Sequence, residues 1–163
     1  MTVGANLVNL STRITSIKTF HIMRNIKNIF IHCTATPQSA TPESITEGFR
    51  KRGWKRPGYH YLIEPDGRVR QLLDITQASN GVQGHNANAI NIAYIGGVAK
   101  DGKATDNRTV EQKAAIVHLL LQLREAFPTA HIMGHRDIWS QTDSRKWKKQ
   151  CPCFNASREY KYI

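Results

Sequence analysis

A chain of 163 residues is long enough to form one domain whose hydrophobic core needs neither disulfides nor a metal ion. Hydrophobic residues make up 40% of the sequence and charged residues 21%, which excludes an intrinsically disordered protein, and no apolar run approaches the roughly 20 residues of a membrane span. The formal charge of +11 attracts polyanions such as nucleic acids, acidic membranes and anionic polymers.

Much of this charge lies in two segments, residues 49–58 and 144–150. Runs of cations often form only a solvated face, so they identify no partner by themselves. The sequence shows no strand platform with interleaved aromatic residues and no helix motif for the DNA major groove. We therefore do not expect nucleic acid as a partner.

The first 26 residues are predicted to form a basic, poorly ordered N-terminal extension, and residues 27–163 a single domain. Asn, Ser and Thr interrupt every apolar run of this extension, so it has no signal-peptide core. The three cysteines, Cys33, Cys151 and Cys153, are odd in number and lack a disulfide spacing pattern. This usage favours a reduced compartment or a metal site over a disulfide framework.

In chain order, the sequence predicts a strand at 29–34, a helix at 41–53, strands at 58–64, 68–74 and 90–97, a helix at 109–127 and a strand at 130–134. The second and third strands flank a Pro-Asp-Gly turn and should form an antiparallel hairpin. Helices placed between strands are typical of sheets covered by helices. We therefore expect a single α/β domain with a central mixed β-sheet of about five or six strands flanked by helices.

Both predicted helices carry start signals. Thr41 is the expected N-cap before Pro42, and Gly53 is the expected stop. Thr109 and Gln112 predict a capping box for the second helix. The apolar residues of that helix are expected to form one wide stripe that packs on the sheet: Val110, Ala114, Ile116, Val117, Leu120, Leu121, Leu123 and Phe127.

Three residues combine the chemistry of a catalytic metal site. His32 ends the first strand, His135 follows the last strand, and Cys151 lies 16 residues further on in a loop. Two histidines and one cysteine suit catalytic zinc, since three protein ligands leave the fourth position open for water. The spacing of such scattered residues is weakly diagnostic. By itself it favours a core histidine at position 32 and a small buried residue at position 151.

Five blocks of the sequence together resemble the zinc-dependent N-acetylmuramoyl-L-alanine amidases, a family that shares its fold with the peptidoglycan recognition proteins. The blocks are IFIHCTATP (29–37), GWKRPGYHYLIEPDGRV (53–69), AINIAYIGG (89–97), MGHRDI (133–138) and KKQCPCF (148–154). Each block alone is unspecific, but five in the family's order and spacing form a specific pattern. The resemblance covers about residues 27–157. The family includes small phage and bacterial cell-wall amidases.

Position by position, the resemblance implies Zn²⁺ as the cofactor, with His32, His135 and Cys151 as its ligands. It also implies that Tyr59 lies beside the metal and orients water or substrate, and that Lys149 stabilises the oxyanion. The implied activity is zinc-hydroxide hydrolysis of the amide between N-acetylmuramic acid and L-alanine in peptidoglycan. The alternative is a non-catalytic peptidoglycan-binding protein on the same fold, although such proteins typically lack the cysteine ligand.

Other histidines and cysteines near these positions are expected to be structural. Cys153 could replace Cys151 as the metal ligand, but the family's block places the ligand before the proline. Cys33 should point to the opposite side of the strand from His32, because successive side chains of a strand alternate between its two faces. His60 should face the sheet or core for the same reason.

The chain departs from the family's pattern just before and at the start of the fourth strand. Gly81 stands where relatives often carry a histidine, and Ala89 and Asn91 replace residues of an NSIG block. We expect these positions in the wall of the substrate groove, where His85 and Asn86 could bind glycan or stem peptide. Without a signal peptide, the chain should be cytoplasmic in the producing cell or be delivered to the wall by another system, and a monomer is assumed.

Overall fold

The computed structural model of the protein describes residues 24–163, so residues 1–23 of the predicted extension lie outside the described residues. The last three residues of the extension are described, and they contact the domain. Ile26 is buried, and the Arg24 guanidinium donates to the carbonyl oxygens of Ile75, Gln77, Asn86, Ala87 and Ala89. The folded unit therefore begins before the expected boundary at residue 27.

A five-stranded mixed sheet forms the centre of the described chain. In chain order the elements are β1 (Asn28–Cys33), α1 (Pro42–Lys51), β2 (Tyr61–Ile63), β3 (Val69–Gln71), β4 (Ala89–Tyr94), α2 (Val110–Ala126), β5 (His131–Gly134) and α3 (Ala156–Glu159). The strand order is β3-β2-β4-β1-β5. All neighbours pair in parallel except β2 and β3, which are antiparallel. The predicted α/β fold with a mixed sheet is confirmed.

The parallel strands place the candidate metal ligands at one edge of the sheet. β1 lies between β4 and β5, with His32 opposite Ala93 and Ile31 opposite Gly134. The carboxyl ends of parallel strands meet at the same edge, which is where sites of α/β folds collect. His135 directly follows β5, so this topology brings it towards His32.

β2 and β3 form the predicted antiparallel hairpin. Gly67 in its turn has a φ of +83°, a backbone conformation that favours glycine. Both strands are shorter than the predicted segments 58–64 and 68–74. Regular pairing ends at His60, because its carbonyl oxygen accepts from two consecutive backbone N–H groups that follow β3.

The predicted helix signals are confirmed at both ends of α1 and at the start of α2. The Thr41 side chain accepts from the backbone N–H of Ser44, and Gly53 follows the helix with a φ of +73°. Thr109 and Gln112 form the reciprocal capping box. The Gln112 side chain also donates to carbonyl oxygens of Ile63 and Ile95, which ties the start of α2 to the sheet.

The single wide stripe predicted for α2 is wrong. Ile116, Leu119, Leu120 and Leu123 are buried against the sheet, whereas Val110, Ala114, Val117 and Leu121 are exposed. With about 3.6 residues per turn, the exposed set forms a row on roughly the opposite side of the helix from the buried set. The sequence pattern had merged two faces, of which only one packs on the sheet. No helix in residues 24–163 combines the length and apolar character that a membrane crossing requires.

The two faces of β1 separate the core from the candidate site. Ile29, Ile31 and Cys33 pack in the hydrophobic cluster that includes the buried face of α2. Phe30 packs in a different cluster, with Val82 of the loop before β4 and Ala89 at the start of β4. His32 shares the face of Phe30 by strand alternation. The expectation that Cys33 points away from His32 into the core is confirmed.

Candidate active site and metal centre

Three side chains from distant parts of the sequence converge at the carboxyl edge of the sheet. His32, His135 and Cys151 each offer one ligand atom, and these three atoms all lie within 4.8 Å of one another. The set that the sequence singled out is therefore brought together in space. Its members come from the end of β1, the turn after β5 and the loop before α3.

His32 is held from both sides of its imidazole ring. Its Nε2 lies 2.8 Å from Oδ1 of Asn91, and its Nδ1 lies 3.7 Å from Sγ of Cys151. The side chain is only 1% exposed. Since Nε2 is hydrogen-bonded to the amide of Asn91, Nδ1 is the nitrogen that faces the candidate ligand Cys151.

His135 is the first residue of a short 3₁₀ turn that follows β5 directly. Asp137 fixes this turn, because its Oδ2 accepts from the Gly134 backbone N–H at 2.7 Å and from the Ser157 hydroxyl at 2.6 Å. The imidazole of His135 stacks on Trp139, with an angle of 19° between the ring planes. These contacts define the ring's position before any ligand binds.

Three hydrogen bonds position the loop that carries Cys151. The Arg136 N–H donates to the carbonyl oxygen of Cys151 at 2.9 Å, and the Cys33 N–H donates to its Sγ at 3.3 Å. The Tyr94 hydroxyl donates to the carbonyl oxygen of Pro152 at 2.7 Å. The cysteine loop is thus attached to β1, β4 and the turn after β5.

Gly134 allows the cysteine loop to approach β5 closely. A Cβ atom at this position would lie 2.6 Å from Cδ of Pro152, which is closer than real Cβ contacts allow. A side chain at 134 would therefore push Pro152, and with it Cys151, away from the histidines. The glycine of the GH block thus has a packing role beside its neighbour's proposed role as a ligand.

Both histidines of the cluster are neutral at neutral pH. Burial lowers the pKa of His32 to about 4; the Asn91 hydrogen bond opposes this in part, and the charge of Lys149 adds a smaller lowering. Burial likewise lowers the pKa of His135 to about 3, with contributions from His32 and Lys149. A neutral imidazole keeps one nitrogen lone pair, which is the form that binds a metal ion.

Tyr59 lies beside His32, and Lys149 is close enough for its charge to act on the cluster. The ring centroids of Tyr59 and His32 are 5.2 Å apart. Burial, and then the charges of Cys151 and Cys33, raise the pKa of Tyr59 far above its ordinary value, so its hydroxyl keeps its proton. Lys149 is exposed, and its charge acts on both histidines of the cluster.

Cys33 and Cys153 lie together rather than with the histidines. Their sulfur atoms are 3.8 Å apart, and Cys153 Sγ also lies 3.6 Å from the carbonyl oxygen of Gly97. The cluster of possible metal ligands contains Cys151 and neither of these two residues. Of the sulfur atoms of Cys151 and Cys153, only that of Cys151 lies with the two histidines.

The two predicted substrate-binding residues lie outside the three-residue cluster. His85 is exposed, with its ring centroid 6.0 Å from that of Phe30. The side-chain oxygen of Asn86 accepts from the Val82 N–H at 2.8 Å, so it stabilises its own loop. His85 therefore presents its side chain to solvent, whereas the carbonyl group of the Asn86 side chain already has a partner.

The predicted place of Asn91 and Ala89 in a groove wall is wrong, because both residues are fully buried within β4. Asn91 instead contacts His32, and its Nδ2 donates to the Ser79 hydroxyl at 2.8 Å. The family resemblance does not predict this contact to the candidate ligand. The available signal was a lone polar residue in the otherwise apolar run INIAYI, where a buried amide requires partners.

Comparison with known proteins identifies the family. Residues 23–153 match the N-acetylmuramoyl-L-alanine amidase family. The chain belongs to this family. Among its relatives is the endolysin of Enterobacteria phage K11, which is 31% identical over 131 residues, or 79% of this chain and 82% of the endolysin.

Solved structures of similar fold include another amidase. The N-acetylmuramoyl-L-alanine amidase LysC from Clostridium intestinale URNW is 25% identical, with a TM-score of 0.67 over 83% of this chain and 82% of LysC. Bumblebee PGRP-SA is 18% identical, with a TM-score of 0.60 over 85% of this amidase and 81% of PGRP-SA. The second likeness concerns the fold alone, and it agrees with the relationship to peptidoglycan recognition proteins.

Proposed function

We propose that this amidase hydrolyses the bond between N-acetylmuramic acid and L-alanine in peptidoglycan, with Zn²⁺ held by His32, His135 and Cys151. The observation that carries the proposal is the convergence of two neutral imidazoles and one thiol, whose ligand atoms lie within 4.8 Å of one another. Such a set is typical of catalytic zinc, since it leaves one coordination position for water or substrate.

The distance between two of the candidate ligand atoms matches the ligand spacing around a zinc ion. Nitrogen and sulfur ligands at about 2.0–2.3 Å from tetrahedral zinc lie roughly 3.3–3.8 Å from one another. His32 Nδ1 and Cys151 Sγ are already 3.7 Å apart. The softness of thiolate and imidazole ligands also favours zinc over magnesium or calcium, which prefer oxygen ligands.

A bound zinc ion would act as a Lewis acid and lower the pKa of water to about 7. The chain's own residues would supply the remaining functions. The Tyr59 hydroxyl, which keeps its proton, can donate a hydrogen bond to water or to the scissile amide. The Lys149 ammonium can stabilise the negative charge that develops on the carbonyl oxygen when the carbon becomes tetrahedral.

The surface beside the site suits an anionic substrate. The segments 49–58 and 144–150 directly precede Tyr59 and Cys151, and most of their cationic side chains are exposed. Carboxylates of the stem peptide could be attracted there. We retain His85 as a candidate contact to glycan or peptide. Asn86 remains a candidate through its side-chain NH₂ group, since its side-chain oxygen already accepts a hydrogen bond within the loop.

A release assay tests the proposal. Purified protein, loaded with zinc, is incubated with isolated peptidoglycan, and newly exposed N-terminal alanine is quantified against a Cys151→Ser variant. We expect alanine termini to increase with the wild type, and to fall to background with the variant or after chelation. No release by the zinc-loaded wild type would contradict the amidase activity, and equal release after complete zinc removal would contradict the role of the metal. A non-catalytic binding protein would retain peptidoglycan without releasing alanine termini.

A further inference from the structure

We propose that Asn91 is a positioning residue that holds His32 in the tautomer with Nε2 protonated, which leaves Nδ1 free to bind a metal ion. The tautomer belongs to the metal-free protein, whereas the consequence for zinc rests on the proposed function. Asn91 lies in the middle of β4 and is fully buried, and its partner Ser79 is only 1% exposed.

The hydrogen bonds of Asn91 determine which nitrogen of His32 carries the proton. Asn91 Nδ2 donates to Ser79 Oγ at 2.8 Å, which leaves Oδ1 directed at His32 Nε2, also at 2.8 Å. With the Asn91 amide in this orientation, its carbonyl oxygen can only accept, so Nε2 donates. In a neutral imidazole the lone pair is then on Nδ1, the nitrogen that lies 3.7 Å from Cys151 Sγ.

His60 fixes the backbone of Asn91 on the neighbouring strand. The Asn91 N–H donates to His60 Nδ1 at 3.0 Å, and the His60 N–H donates to the Asn91 carbonyl oxygen at 2.8 Å. Since His60 Nδ1 accepts, its Nε2 carries the proton and donates to the Gln77 carbonyl oxygen at 2.9 Å. The same Gln77 oxygen also accepts from Arg24. These contacts hold the loop at a point two residues before Ser79.

Gly81 provides the space that the Asn91 side chain occupies. A Cβ atom at position 81 would lie 2.5 Å from both Cγ and Oδ1 of Asn91, and 2.7 Å from the carbonyl oxygen of Gly58. Any larger residue at position 81 would therefore displace the amide from His32. Asn91 and Gly81 form a matched pair, in which the second permits the orientation of the first.

Removing the acceptor should release the tautomer and weaken metal binding. Leucine at position 91 has a similar volume and no hydrogen-bonding group, whereas aspartate keeps an acceptor oxygen towards His32 and can accept from the Ser79 hydroxyl. Loss of a partner that orients a metal-binding histidine typically lowers metal affinity about 10–100-fold. We expect that loss in Asn91→Leu and a smaller one in Asn91→Asp.

Two measurements test this inference. Long-range ¹H–¹⁵N correlation spectra of metal-free, ¹⁵N-labelled protein give the tautomer of each histidine, with His32 assigned by comparison with His32→Gln. Competition with a chromophoric chelator gives the zinc dissociation constant. We expect a protonated Nε2 at His32 in the wild type and in Asn91→Asp, and a mixture or the other tautomer in Asn91→Leu.

Two outcomes would overturn the inference. One is a wild-type spectrum in which the His32 proton is on Nδ1, which needs no substitution at Asn91. The other is a folded Asn91→Leu protein that retains both the tautomer and the wild-type zinc affinity. Because the spectra require neither zinc nor peptidoglycan, they stand even if alanine release fails, and a failed tautomer assignment leaves the amidase activity untouched.

Discussion

His32 Nδ1 lies 3.7 Å from Cys151 Sγ, although the two residues are 119 positions apart in the chain. The backbone N–H of Cys33 donates to the same sulfur at 3.3 Å, so the end of β1 positions both the imidazole and the thiol. Because the end of β1 carries His32 and also donates a hydrogen bond to Cys151, it restricts the movement of both candidate ligands. This relationship makes the identity of the sulfur ligand directly testable.

Cys151→Ser should abolish stoichiometric zinc binding, and Cys153→Ser should preserve it. Cys153 Sγ lies 3.8 Å from Cys33 Sγ and is not part of the three-residue cluster. Metal content after gel filtration, measured by atomic emission, distinguishes the two variants. The reverse result, with zinc retained in Cys151→Ser and lost in Cys153→Ser, would assign the ligand to the other sulfur.

Lys149→Ala should lower kcat about 100-fold, because removal of one group that stabilises an oxyanion typically has this effect. Zinc content should be unchanged, since an ammonium group does not bind the metal. Lys148→Ala is the matched control, as it removes another exposed cation from the adjacent position. Steady-state rates of alanine release measure both variants. An equal loss in Lys148→Ala would indicate a general effect of charge on substrate binding.

The metal-free protein should lose stability as the pH falls below about 6.5. The pKa is about 4 for His32 and about 3 for His135 in the folded state. The unfolded chain therefore binds protons at a higher pH than the folded chain, and acid favours unfolding. Each buried imidazole should cost on the order of 1–2 kcal/mol of unfolding free energy between pH 6.5 and 5.

Urea unfolding of chelator-treated protein at several pH values measures this dependence. His60 contributes in the same direction, because burial also lowers its pKa to about 4. His118 is exposed on α2, so His118→Gln should keep the wild-type profile. A free energy of unfolding that stays constant from pH 7.5 to 5 would contradict neutral buried histidines.

Local sequence signals predicted much of the fold because their physics is local. Thr41, Gly53, Thr109 and Gln112 act within one helical turn, and each has its predicted role in the structure. The burial of α2 depends instead on which side faces the sheet. Since α2 has apolar residues on two sides, its sequence could not distinguish the buried row from the exposed row.

The candidate site divides in the same way. The five sequence blocks resemble a known family, and that resemblance singled out the three residues that converge in space. Asn91 could not be placed by resemblance, because the chain departs from the family's pattern there. Its function as a partner of His32 depends on the register between β1 and β4 and on the absence of a side chain at Gly81. Neither feature has a signature in local sequence.

Two glycine-to-alanine substitutions should have opposite effects on stability. Gly48 lies inside α1, and a Cβ atom there would contact nothing within 4 Å. Alanine at 48 should therefore raise the free energy of unfolding by roughly 0.5–1 kcal/mol, through its higher helix propensity. Gly134→Ala should destabilise the protein, because its Cβ would lie 2.6 Å from Cδ of Pro152.

The second substitution should also weaken zinc binding, since Pro152 adjoins Cys151 and both belong to the loop that packs against β5. Chemical denaturation and zinc competition on the two variants separate the effects, with Gly48→Ala as the control that keeps wild-type zinc affinity. If Gly134→Ala bound zinc as tightly as the wild type, the cysteine loop would have enough freedom to move without disturbing its sulfur. The close approach of Pro152 to β5 would then contribute to packing alone, and the position of Cys151 would depend on its hydrogen bonds to Cys33 and Arg136.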